Sequence, residues 1–195
     1  MKTLSLFVLI FSFCAFPAKP KKAAEPSVLM EVNLEGSSIM IYGDSNLHKW
    51  DTKANKYSGS GSFELKEGKL QKINNFSLTL LSKEIKSDSD SMNEKTAAAL
   101  ETEKFPQVTC TIKSSSINGD TVTGSMEYDL HGVKKTIDFN SKVTITGSDM
   151  VVEGEQDILM TDFNIDPPKT KVVFITATAK PELKIKYKLT LKTRN

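Results

Sequence analysis

Ser45, His48 and Asp51 fall within one short stretch, Ser-Asn-Leu-His-Lys-Trp-Asp, at residues 45–51. The same stretch holds Trp50, the only tryptophan, and His48 is one of only 2 histidines. These residue types could form a hydrolase triad, a metal site, or a contact for the polar end of a ligand. A triad needs nucleophile, base and orienting acid converging at hydrogen-bond distance, and its members usually come from separate segments. In extended chain the odd separation of His48 and Asp51 points their side chains to opposite faces. No Gly-x-Ser-x-Gly elbow occurs anywhere in the chain. Zinc takes several His, Cys or acidic ligands, yet His48 and His131 are far apart in sequence and Cys110 has no second cysteine near it. The expectation is therefore a non-enzyme without metal or cofactor. Two readings of the stretch remain. In one it is architecture, with Ser45 and Asn46 in a turn and Asp51 satisfying free backbone N–H groups. In the other, His48 and Trp50 share a face at spacing two and meet a ligand's head group.

The elements that must position these residues are strands. Phe76, Leu78 and Leu80 alternate with polar neighbours, as do Val122, Met126, Tyr128 and Leu130. The same spacing recurs in Ile137, Phe139, Val143 and Ile145, and in Ile185, Tyr187, Leu189 and Leu191. One apolar and one wet face per strand is the antiparallel signature. Glu67-Gly68, Asn118-Gly119, Gly147-Ser148-Asp149 and Pro181-Glu182 separate such runs and carry turn chemistry. His131-Gly132 reads as a further tight connection, and Thr161-Asp162 with Pro167-Pro168 as a strand end and a rigid exit loop. Residues 91–106 break the pattern and read as a helix. Ser91 and Glu94 suggest a capping box, Phe105-Pro106 a stop, and Met92, Ala97 and Leu100 an inner face. The fold class is thus all-β, with about eight antiparallel strands and one inserted short helix. Such a sheet covers its apolar face either by pairing into a sandwich or by curling into a barrel, and periodicity does not choose between them.

Bulk properties narrow the class further. Hydrophobic residues make up 38% and charged residues 26%, with a net charge of +2 and no basic block, so no nucleic-acid partner is expected. Lys2 followed by the apolar run of residues 4–16 reads as a secretory signal peptide, and residues 18–26 as a Pro- and Lys-rich linker. Cleavage would leave one domain, residues 27–195, in the periplasm or outside the cell. Lipid attachment at Cys14 is the less favoured alternative, because Phe13 stands where a small residue is expected. Residues 1–26 hold four lysines and one glutamate, so the remainder carries a net charge of −1. It also keeps a single cysteine, Cys110, set between apolar neighbours and read as a small buried hydrophobe.

Five segments in order resemble the YceI-like family of bacterial periplasmic proteins. They are Gly43–Asp51, Ser58–Phe63, Met92–Cys110, Asp129–Ile137 and Met160–Pro168. The tryptophan two residues after His48, with Met-Thr-Asp-Phe-Asn-Ile-Asp-Pro-Pro at 160–168, is similar to the Bacteroidetes-type branch. The resemblance implies a lipocalin-like antiparallel barrel that binds a long isoprenoid or other apolar lipid, a quinone or precursor among them, with peripheral encounters with a membrane. It implies no catalytic machinery. Many members carry His-Ser at the start of the first strand, where this chain has Gly36-Ser-Ser-Ile39, so that contact is missing here. Candidate lining residues for such a ligand are Ile41, Phe63, Phe76, Leu78, Leu80, Met126, Leu130, Ile137 and Phe139, with His48 and Trp50 at the mouth. The same apolar residues would serve equally in a filled core of a structural or interaction sandwich. Oligomeric state is not specified.

Overall fold

The computed structural model describes residues 27–172 and 174–194. The expected leader and linker, Cys14 included, lie outside the described residues. Among the described residues twelve strands run in chain order: β1 (Ser27–Gly43), β2 (Trp50–Ala54), β3 (Tyr57–Lys66), β4 (Lys69–Leu81), β5 (Ile85–Lys86), β6 (Gln107–Asn118), β7 (Thr121–Leu130), β8 (Val133–Thr146), β9 (Asp149–Leu159), β10 (Lys169–Val172), β11 (Ile175–Thr178) and β12 (Glu182–Thr193). One α-helix, α1 (Asp90–Ala99), lies between β5 and β6.

Strands β12-β9-β8-β7-β6-β4-β3-β1 form one antiparallel sheet, and β1 pairs back onto β12. That last pairing closes an eight-stranded barrel and sets aside the sandwich. Closure also removes the unpaired edges that invite aggregation. The wall along β1 is shared. Residues 27–31 pair with β3 and residues 40–43 with β2, which in turn pairs with β5. Between the two halves the β1–β12 register shifts from Asn33 to Ser38, with Gly36 at φ +83°. A bulge of this kind needs a residue that tolerates positive φ. Ser37 Oγ accepts the Thr190 N–H there (2.8 Å), and Thr190 Oγ1 donates to the Gly36 carbonyl (3.0 Å). The Gly-Ser-Ser stretch therefore serves the backbone of the barrel.

Tight two-residue turns connect β3 to β4, β6 to β7, β7 to β8 and β8 to β9. Glu67-Gly68 and His131-Gly132 both take positive φ at both positions, the twist that suits a hairpin. The Asn118-Gly119 reading is off by one residue. Asn118 pairs with Thr121, so the turn is Gly119-Asp120, with only Gly119 at positive φ.

Charge fixes register on the outside. Lys184, Lys186 and Lys188 of β12 stand directly opposite Asp157, Glu155 and Glu153 of β9, at 2.7, 2.8 and 3.0 Å. Each exposed pair contributes little by itself. A slip by one residue would misalign them all and turn the apolar face outward.

The helix departs from its expected bounds. Its cap is Ser89, whose hydroxyl accepts the Met92 N–H (3.4 Å), so no Ser91–Glu94 capping box forms. It stops at Ala99, before Pro106 can act, because Glu101 takes a left-handed conformation (φ +44°) and its N–H bonds the Ala98 carbonyl. Thr96, Ala99 and Leu100, rather than Ala97, face the barrel interior, and Met92 faces a space outside it.

Candidate functional site

Strand parity delivers the interior. On β4, Phe76, Leu78 and Leu80 are each buried while Ser77 is exposed and Thr79 only half-buried. At one end Met30, Met150 and Leu191, each at most 1% exposed, lie near strand termini. At the other end lie the start of β2, β5, the 3₁₀ turn Met160–Phe163 and α1. Between the two ends is a cavity of about 220 Å³.

Ile41, Phe63, Phe76, Leu78, Leu80, Met126, Leu130 and Phe139 all line this cavity, and so does Trp50. Ile137 packs beside the core without lining it. His48 is not at the cavity. It borders a second space of about 170 Å³ between the 45–50 loop, α1 and the β10–β11 hairpin. Trp50, Thr96 and Pro168 border both spaces, so the second adjoins the first, outside the barrel, in the position of a vestibule.

The 45–51 stretch is built as follows. Ser45 Oγ donates to the His48 carbonyl (2.8 Å) and accepts the N–H groups of Leu47 (3.1 Å) and His48 (3.0 Å). Asp44 Oδ1 accepts the Ser45 N–H, and Asp44 Oδ2 pairs with Lys180 Nζ at 2.7 Å. That lysine holds the Asp44 carboxyl below the usual carboxylate range, and the aspartate holds Lys180 above its own ordinary value. Asn46 ties the loop to β11 through Thr176 and Thr178. The trap for the turn's free N–H groups is thus Ser45 with Asp44, and not Asp51, which sits exposed in β2 opposite Tyr42. His48 Nδ1 lies 2.9 Å from the Lys49 carbonyl and has no side-chain link to Ser45 or Asp51. Trp50 donates its N–H to the Asp44 carbonyl (3.2 Å) and lays its ring over Gly43, where any side-chain carbon would collide with it.

The second histidine is also structural in its setting. His131 Nδ1 lies 3.2 Å from the Phe163 carbonyl, and its ring packs on Phe105 at 4.5 Å. Among the described residues no cluster of three His, Cys, Asp or Glu side chains is placed to hold a metal ion.

Sequence reasoning missed a polar belt inside the barrel. Cys110, Tyr128, Ser141, Gln156 and Tyr187 all face the cavity. Ser141 Oγ and the Tyr187 hydroxyl are hydrogen-bonded at 2.8 Å, and the Tyr128 hydroxyl reaches Gln156 Oε1 at 3.5 Å. Burial pushes the Cys110 thiol up to about 12 and raises both tyrosines, so all three are neutral at physiological pH. A signal existed. Ser141 and Gln156 are polar residues at inward parity, interrupting the runs Phe139–Val143 and Val152–Ile158.

The family profile for the YceI-like domain matches residues 31–191. The chain belongs to the YceI-like family. Solved structures share its barrel. Burkholderia cenocepacia BcnA matches with a TM-score of 0.69 at 17% identity, over 82% of this chain and 98% of its own. A polyisoprenoid binding domain from Saccharophagus degradans, implicated in plant cell wall breakdown, matches at 0.64 and 15%, over 86% and 99%. The Campylobacter jejuni YCEI protein matches at 0.57 and 11%, over 94% of each chain. No curated protein matches the sequence. At these identities the likeness establishes the YceI-like barrel, and the side chains of this chain must speak for its ligand.

Proposed function

We propose that this YceI-like protein is a non-enzymatic carrier that holds a long apolar lipid of isoprenoid type, a quinone or its precursor among the candidates, inside the barrel. The observation that carries the reading is the closed barrel's cavity, whose wall is almost wholly aliphatic and aromatic. A buried water needs about 10–15 Å³ of such space. The 220 Å³ present is many times what one water needs, and its apolar wall suits a hydrocarbon chain. Each carbon removed from water contributes about 0.8 kcal/mol, and a pre-formed barrel has no ordering cost at the moment of binding. The Saccharophagus degradans neighbour, described as polyisoprenoid-binding, supports the same reading. A longer chain would emerge past Trp50 into the vestibule, where Leu47, Met92, Ala177 and Ala179 continue an apolar path beside His48. Lys2 with the apolar run 4–16 supports export to the periplasm or beyond.

Trp50 is the only tryptophan and stands at the junction of the two spaces, so its emission reports one place. Titration with an isoprenoid quinone carrying a four-unit tail should shift or quench that emission and saturate at one ligand per protein. His48→Ala should change the affinity by less than about 1 kcal/mol, since His48 stays outside the cavity. Unchanged emission and no retained lipid after gel filtration would contradict the carrier.

A further inference from the structure

We infer that the belt formed by Tyr128, Ser141, Gln156 and Tyr187 is a hydrogen-bonding subsite inside the barrel, which takes the neutral hydroxyl or carbonyl of a ligand's head while the tail points to the mouth. The inference rests on the carrier reading and adds to it the orientation and head-group class of the ligand.

Three observations carry it. First, the belt has unused bonding capacity. Two hydroxyls sharing one bond use one hydrogen, so either Ser141 or Tyr187 keeps a hydrogen with no acceptor among the described residues. Gln156 uses one N–H on the Asp157 carbonyl (3.2 Å), and its oxygen receives only the long Tyr128 contact. Among the described residues its second N–H and most of its acceptor capacity have no partner. Buried groups left so are costly, and a ligand that bonds them recovers that cost.

Second, the belt is built at the expense of simpler packing. A side-chain carbon at Gly154 would collide with the Tyr187 hydroxyl. Gly154 pairs with Tyr187 on one side and Ser141 on the other, so the bare backbone lets the tyrosine cross β9 to reach Ser141 on β8. Ser141 is 4% and Gln156 8% exposed, depths at which polar side chains are uncommon.

Third, the belt sits mid-wall with no charge beside it. Tyr187 is the sixth residue of β12 from the mouth, and Gln156 lies three residues inside the mouth end of β9. Among the described residues, none that lines the cavity is Asp, Glu, Lys, Arg or His. An ionised head such as a phosphate would lose its hydration there without compensation. It would have to remain in the vestibule, near Lys95 and His48. A neutral phenol- or quinone-type ring meets the belt with one or two hydrogen bonds and loses nothing else.

The test uses delipidated protein and three probes sharing one four-unit isoprenoid tail, ended by a phenol, by a phosphate, or by hydrogen. Binding is followed by Trp50 emission and by retention of lipid on gel filtration, in the wild type and in Ser141→Ala, Tyr187→Phe and Gln156→Leu. The phenol should bind at least tenfold more tightly than the hydrocarbon. Each substitution should weaken the phenol about five- to tenfold, the worth of one buried hydrogen bond, and leave the hydrocarbon unchanged. Equal binding of phenol and hydrocarbon, or a preference for the phosphate that the three substitutions leave intact, overturns the belt while the carrier stands. Failure of all three probes to load overturns the carrier and the belt with it.

Discussion

At the scale of single residues, parity decides what a position tolerates. Leu78 points into the cavity and Thr79 away from it, one residue apart on β4. Leu78→Asp should lower stability by about 3 kcal/mol or more, because the carboxylate would be buried without a partner. Thr79→Asp should cost well under about 1 kcal/mol, and denaturant unfolding of the two variants compares them directly. Equal tolerance would mean that the strand faces are reversed. The belt adds a pH dependence. Cys110, raised to about 12 by burial, stays protonated in the folded protein while the unfolded thiol ionises near its ordinary value of 9.0. Its stabilising contribution is complete below that ordinary value and is lost as pH rises toward 12, by about 1.4 kcal/mol per pH unit. Tyr128 and Tyr187 add to the loss above their ordinary value of 10.0. The Tm should therefore fall steadily above about pH 9, and Cys110→Ala should delay the fall until the tyrosines titrate. A Tm that is flat through that range would contradict the burial of the thiol.

Among the elements, α1 differs from the barrel wall. None of its residues is fully buried, yet Thr96 and Ala99, with the C-cap Leu100, cover the cavity beside Trp50. Few buried contacts mark a segment that opens on its own at low cost. Its cap is then a lever on the mouth. Ser89→Ala should remove about 1 kcal/mol of helix stability. Hydrogen exchange should quicken across residues 90–100 while the strands keep their protection. Uniform acceleration over the whole chain would show that the helix is part of the global unfolding unit instead. The existence of this helix is legible in its composition, but its bounds are not. The serines at 87, 89 and 91 offer alternative starts, and it is Ser89 that accepts the Met92 N–H. The left-handed turn at Glu101 ends the helix before the proline that sequence reading relies on.

For the molecule as a whole, spacing-two alternation makes the strands and their inward faces readable. Phe76, Leu78, Leu80, Met126, Leu130 and Phe139 line the cavity as their parity predicts. Closure is not readable in that way, since it depends on Met30 and Ile41 meeting Thr193 and Ile185 from the far end of the chain. Hollowness is not readable either, because the same alternation fits a filled core or an open one and only the sum of side-chain volumes decides. The site stretch at 45–51 was visible by its rare residues, while the belt was hidden among ordinary tyrosines, a serine and a glutamine. The central claim, an apolar lipid held in a closed barrel, is tested most directly by native mass spectrometry of the protein isolated, without detergent, from a bacterium that makes isoprenoid lipids. The account predicts a folded species carrying one apolar lipid per chain, released only on denaturation and identified as isoprenoid after extraction. A folded protein with no stoichiometric lipid, recovered where such lipids are abundant, would contradict it.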